Sequence, residues 1–106
     1  MITCYIEYRI DPYKLDSFRK FCEAWIPIIQ KHGGTHHGYF LPKEGASDIA
    51  LGLFSFDSLY AYEQYREACK HDADARAASK IAADTRCIVR LNRQFMDPLL
   101  PARVDS

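Results

Sequence analysis

Long apolar runs are missing from this 106-residue sequence. No window approaches the roughly 18 uncharged residues that a membrane-spanning helix needs, which argues against a membrane span. An excess of charge of either sign is missing too. Fourteen Lys and Arg balance fourteen Asp and Glu, and the isoelectric point is near 6.9. No net positive field gathers phosphate backbones or anionic lipid, so nucleic acid is not an expected partner. The four cysteines, Cys4, Cys22, Cys69 and Cys87, stand far apart with no Cys-x-x-Cys pair among them. Each lies inside an apolar pattern, where a free thiol behaves as a small hydrophobe. Buried thiols are therefore expected in place of disulfides or zinc ligands. A glycine-rich phosphate loop, a nucleophile elbow and a Ser/His/Asp set are all absent. Gly33-Gly34 follows a predicted helix instead of preceding one, the wrong order for cradling phosphate. Met1 leads straight into Ile2-Thr3-Cys4-Tyr5 without a basic segment followed by an apolar one. A secretory signal is thus not expected, and the cytoplasm is the expected location.

What is present is the composition of one folded domain, 48% hydrophobic, 13% aromatic and 26% charged. That is too apolar and too aromatic for a chain held open by charge repulsion. The length allows one hydrophobic core and not two. Residues 1–96 are expected to form the domain, with 97–106, whose two prolines flank apolar residues, as an irregular tail.

Ile2, Cys4, Ile6, Tyr8 and Ile10 alternate with Thr3, Tyr5, Glu7 and Arg9, a period of two that predicts a strand. Asp11-Pro12 ends it with an N-cap residue followed by Pro at the first helical position. Leu15, Phe18, Cys22, Trp25 and Ile29 then recur at helical spacing, interrupted late by Pro27, so that a kink near Glu23–Trp25 or an early last turn is expected, and closed by Gly33-Gly34. Thr35 to Leu41 and Ile49 to Phe56 read as strands joined by the turn-forming run Pro42–Asp48. Asp57-Ser58 caps a second predicted helix from Leu59 to about Lys70. The alanine-rich Asp72–Asp84 segment reads as a further short helix or a bent continuation. Arg86 to Phe95 gives a last strand, with Cys87, Val89 and Leu91 opposed to Ile88, Arg90 and Asn92.

The order strand, helix, strand, strand, helices, strand is satisfied by an α+β fold. It is a four-stranded antiparallel sheet with the helices on one face, the split β-α-β arrangement of ferredoxin-like folds. The other face then carries Tyr5, Ile88 and some of Tyr39, Phe40, Phe54 and Phe56, and the chain has no further element to cover it. Large exposed apolar patches mark interfaces, so pairing of two copies through their sheet faces is expected.

Ile2-Thr3-Cys4-Tyr5-Ile6 with Ile10-Asp11-Pro12, Gly38-Tyr39-Phe40-Leu41-Pro42 with Glu44-Gly45, and Phe56-Asp57-Ser58-Leu59 with Tyr62-Glu63 and Tyr65-Arg66 together resemble the NIPSNAP family. The resemblance extends from about Ile2 to Phe95. It implies the dimeric α/β-barrel superfamily, in which two ferredoxin-like protomers pair through their sheets. That superfamily includes cofactor-independent monooxygenases, haem-degrading enzymes, muconolactone isomerases and chlorite dismutase-like proteins, so the fold does not choose a chemistry.

Three groups of residues carry the candidate chemistry. Adjacent His36 and His37 on a strand face opposite sides and do not ligate one metal together. With no partner at ligand spacing, a metal site is not expected, and one of the two is a candidate general base. Tyr62 and Arg66, four apart on a helix, share a face. Arg66 is the candidate anion-binding residue, its alternative being a surface pair with Glu63, Glu67 or Glu7. Tyr8, Trp25 and Tyr39 are candidate walls of a pocket between sheet and helices, their alternative being plain core. The expectation is a homodimer, without cofactor, binding a small apolar or aromatic molecule that carries an acidic group. If the protein is an enzyme, it is a cofactor-independent monooxygenase or isomerase with Tyr39 donating a hydrogen bond and Arg66 steadying an oxyanion. The rival from another class is a non-catalytic interaction or structural module with a dry, fully packed interior and an apolar patch around Leu99-Leu100.

Overall fold

A computed structural model describes residues 1–101. Its strands are β1 (Ile2–Ile10), β2 (Thr35–Phe40), β3 (Ile49–Phe56) and β4 (Ile88–Met96), and its helices are α1 (Leu15–Lys31), α2 (Leu59–Cys69) and α3 (Ala73–Thr85). The four strands form one antiparallel sheet in the order β2-β3-β1-β4, the ferredoxin-like split β-α-β arrangement. Expected tail residues 97–101 follow β4 without regular structure, and 102–106 lie outside the described residues.

Local chemistry sets the boundaries. The Asp11 carboxylate accepts from the Tyr13 N–H, and Pro12 opens a short 3-10 turn that leads into α1. Helix α1 continues through Pro27 to Lys31. Gly33 then takes φ +92°, a conformation that costs glycine little, and its N–H donates to the Gln30 carbonyl. Ser58 caps α2 by accepting from the Ala61 N–H. The Asp72 carboxylate accepts from the Asp74 and Ala75 N–H groups, which makes α3 a separate helix and not a bent extension of α2. The same carboxylate receives Lys31 at 2.6 Å and His32 at 2.7 Å, tying the end of α1 to the start of α3.

The core lies between sheet and helices. Cys4, Ile6, Tyr8 and Ile10 of β1 pack with Phe18, Phe21, Cys22 and Ile29 of α1 and with Tyr62 and Tyr65 of α2. Register places Phe54 beside Cys4 and Tyr39 beside Gly52, so β3 and β2 send Phe54, Phe56 and Tyr39 to the same side. This corrects part of the expectation for the helix-free face. Phe56 and Phe54 stack edge-on at 6.0 Å inside the core, and Ile88 also returns to the helix side, opposite Ile10. A bulge there makes Val89 the extra residue and breaks the simple alternation of β4. Tyr5 and Phe40 do lie on the helix-free face, joined by Ile49, Leu51, Leu53 and Met96 through the register of β1, β3 and β4.

Gly34 sits where α1 turns onto β2. A Cβ there would lie 2.6 Å from Ile29 Cγ2, 2.8 Å from Phe56 Cζ and 3.0 Å from the Ile29 carbonyl oxygen. Because one of these neighbours is backbone, the contact is not relieved by a rotamer change. Gly34→Ala is expected to destabilise the fold by about 1–3 kcal/mol. Urea denaturation of the variant beside the wild type measures it, and an unchanged midpoint would refute the packing argument.

Candidate functional site

Between sheet and helices the packing is incomplete, leaving a cavity of about 480 Å³, within the roughly 300–1,000 Å³ typical of small-molecule sites. Its floor is the sheet: Ile6 and Tyr8 from β1, Tyr39 from β2 and Phe54 from β3. Phe21, Trp25 and Ile29 of α1 form one wall, and Tyr62, Tyr65, Arg66 and Cys69 of α2 another. Leu91 and Arg93, exposed residues of edge strand β4, form its open side. The floor owes its shape to Gly52, where a Cβ would meet Tyr39 Cε1 at 2.8 Å and Tyr8 Cε2 at 3.4 Å. The missing side chain lets both phenol rings lie low over β3.

Tyr8, Trp25, Tyr39, Tyr62 and Arg66 therefore converge on one cavity, as the sequence suggests, and the two histidines do not join them. A bulge in β2 at His37 separates the pair. His36 faces the helices beside Tyr39 and Phe54, with ring centroids at 4.7 and 5.8 Å. Its Nδ1 accepts the Gly38 N–H at 2.8 Å, so the ring proton sits on Nε2, which is buried without a partner. Burial, helped by neighbouring His37, pushes its pKa down to about 4. His36 is neutral at pH 7 with its basic lone pair already engaged. His37 lies on the helix-free face, 2.7 Å from Ser55 Oγ, which in turn lies 2.7 Å from Thr3 Oγ1. Neither imidazole is among the residues that line the cavity.

Burial raises the Tyr8, Tyr39 and Tyr65 phenols well above the usual range. The Tyr8 and Tyr39 rings lie side by side, with centroids 6.3 Å apart. Burial also pushes the Cys22 thiol up to about 12. These groups are neutral at pH 7 and act as proton donors, not bases. The formal charges in the lining are all positive, on Arg66, Lys70, Arg76 and Arg93, with no Asp or Glu. Lys70 is paired with Glu67 at 2.9 Å. Arg66 has none of its expected carboxylate partners. Its Nη1 donates to Tyr62 Oη at 3.0 Å, and its guanidinium stands 5.9 Å from that ring. Arg76 and Arg93 likewise have no carboxylate within 4.0 Å among the described residues. Neither was picked out by the sequence reading. The available signal for Arg93 was its place two residues from Leu91 and from Phe95, a cation in the apolar register of a strand.

No group of three or more His, Cys, Asp or Glu side chains suited to a metal converges among the described residues. No described helix is long and apolar enough to cross a membrane.

An antiparallel sheet under one helical layer, with an aromatic cavity between them, defines a ferredoxin-like α+β protein. The NIPSNAP family model matches residues 5–101, and the chain belongs to that family. Among solved structures it resembles a NIPSNAP family protein of unknown function from Agrobacterium tumefaciens at 22% identity and TM-score 0.78, over 92% of this chain and 87% of that one. It also resembles an uncharacterised NIPSNAP domain protein from Burkholderia xenovorans at 15% identity and TM-score 0.76, over 98% of this chain and 100% of that one. A putative antibiotic biosynthesis monooxygenase from Nitrosomonas europaea aligns at 10% identity and TM-score 0.73, over 94% and 100% of the two chains. At such identities the likeness is one of fold. No curated protein matches the sequence.

His36 makes stability depend on pH in a defined direction. Its folded pKa of about 4 lies below the ordinary 6.5, so the unfolded chain binds more protons between these values. Stability is expected to fall as pH drops from 6.5 to 4. His36→Asn keeps an acceptor for the Gly38 N–H while removing the titration, and should flatten that slope. Denaturant midpoints across the interval check it, and an equally steep slope in the variant would remove His36 as the cause.

Proposed function

We propose that the protein is a homodimer that binds a small, largely apolar or aromatic molecule carrying an acidic group in the cavity between sheet and helices. The observation that carries this reading is the pairing of an aromatic lining with four cations and no carboxylate. A cavity of this kind favours flat apolar bodies by burial and anions by charge. Arg66 is the anion-binding residue, with Tyr8, Trp25 and Tyr62 against the apolar part and Tyr39 as a hydrogen-bonding group. Binding is favoured over catalysis by general base because the lining offers protonated phenols and guanidiniums at pH 7 and no carboxylate or histidine. The reaction class compatible with such a lining is cofactor-independent oxygenation or isomerisation of a substrate that loses its own proton readily.

The second copy covers the helix-free face. Tyr5, Ile49, Leu51, Leu53, Phe40 and Met96 share that face, and an apolar sheet surface of this kind is stabilised by a partner sheet. We take residues 1–96 as the domain, since β4 ends at Met96, and 97–106 as a tail. The four free cysteines support a reducing compartment and hence the cytoplasm. A second reading, a non-catalytic interaction module, draws on Leu99 and Leu100, 98% and 57% exposed, but it has no use for an open cationic cavity.

Two experiments test the reading. Titration with 2-naphthoate followed by calorimetry should show binding, weakened about 10- to 100-fold in Arg66→Met, the range expected for a lost charged hydrogen bond. Binding that Arg66→Met leaves unchanged would remove the assigned role. At micromolar concentration the wild type should sediment at twice 12.2 kDa. Leu53→Glu, in the middle of the helix-free face, should sediment as the monomer with unchanged circular dichroism. A wild-type monomer would end the dimer proposal.

A further inference from the structure

Arg66 and Arg93 line the same cavity from different elements, α2 and β4. Arg66 donates to Tyr62 Oη at 3.0 Å, and the Tyr62 ring lies 4.8 Å from that of Phe95, which stands two residues from Arg93 on the same side of β4. Burial pushes the thiol of Cys4, the register partner of Phe95, up to about 11, opposed by the positive charges of Arg93 and Arg66. Neither guanidinium has a carboxylate within 4.0 Å among the described residues. The fork of Arg66 is partly engaged by a neutral phenol at 3.0 Å, which leaves its charge uncompensated.

Resting on the reading of the cavity as an acid-binding site, we propose that its ligand carries a dianionic head, a phosphate monoester or a vicinal dicarboxylate on a flat apolar body, held between Arg66 and Arg93. The argument is one of valence and geometry. A single carboxylate compensates one guanidinium and leaves the other repelled across the cleft. A dianion compensates both, and its additional oxygens give each fork its own acceptors. Arg93 becomes the specificity-determining residue, since removing it leaves Arg66 as the one guanidinium on the Tyr62–Phe95 side of the cavity. Arg76, on α3, lines the same cavity with its guanidinium donating to the Lys70 carbonyl at 3.4 Å, and it serves as the control.

Calorimetric titration at pH 7.5 with three probes of one ring system tests this: 2-naphthoate, 2-naphthyl phosphate and naphthalene-2,3-dicarboxylate. At least one dianion should bind tenfold or more tightly than 2-naphthoate, and which one it is tells phosphate ester from dicarboxylate. The phosphate's advantage should shrink at pH 5, below its second pKa of about 6. Arg93→Gln should abolish the dianion advantage while 2-naphthoate still binds, and Arg93→Lys, which keeps charge but not the fork, should retain part of it. Equal binding of all three probes to the wild type would overturn the dianion assignment and leave the acid-binding reading standing. So would an advantage that survives Arg93→Gln and is lost in Arg76→Gln. Failure of every probe to bind would overturn both.

Discussion

A sheet has two faces, and this chain supplies helices for one. Helix α1 runs beside β2 and meets β1 through Phe18 and Phe21 on Tyr8, while α3 packs on α1 and α2 closes over Phe54 and Phe56. Edge strand β4 is left thinly covered even on the helix side, where Leu91 and Phe95 remain 40% and 43% exposed. The cavity is the consequence: it forms where the helical layer ends before the sheet does. The helix-free face is the other consequence of the same shortage.

The cavity survives because its lining is stabilised from behind. Tyr8 sits against Phe18 at 5.1 Å and Phe21 at 6.3 Å, both edge-on. Tyr65 meets Phe56 at 5.0 Å, and Tyr62 meets Phe95 at 4.8 Å. Rings locked by other rings do not collapse into adjacent space as flexible aliphatic chains would. Arg66, Arg76 and Arg93 stand exposed at the rim, where charge reaches water at little cost, so it is the aromatic floor that the packing must hold open.

Much of this architecture is legible in the residues. The alternation of β1, the caps at Asp11 and Ser58, and the limits of β3 follow from period and side-chain chemistry. Bulges are what period-two reading misses. In β2 the extra residue at His37 puts His36 and Tyr39 on one face, although three positions apart they should oppose one another. Gly38, with φ +114° right after it, is the local sign of that irregularity. In β4 the bulge at Val89 reverses Ile88 in the same way, without a glycine to announce it. Arg93 was legible as a cation in an apolar register, but its convergence with Arg66 depends on the β1–β4 register, which places it beside Ile6.

The two bulges also keep the polar groups of the sheet apart. With a regular β2, His37 and Tyr39 would share a face, and His36 would point outward. The irregular strand instead leaves His36 neutral and internally bonded on the helix side, where a charged imidazolium would compete with the guanidiniums for an anion. It places His37 in a hydrogen-bonded chain with Ser55 and Thr3 across the opposite face. Neighbouring residues of β1 divide in the same manner, Cys4, Ile6 and Tyr8 toward the cavity side and Thr3, Tyr5 and Glu7 away from it. The cavity and the helix-free face thus draw on alternate residues of the same strands. A side-chain change on one face alters the other only by moving backbone, so the two faces are separable by mutation despite lying a single sheet apart.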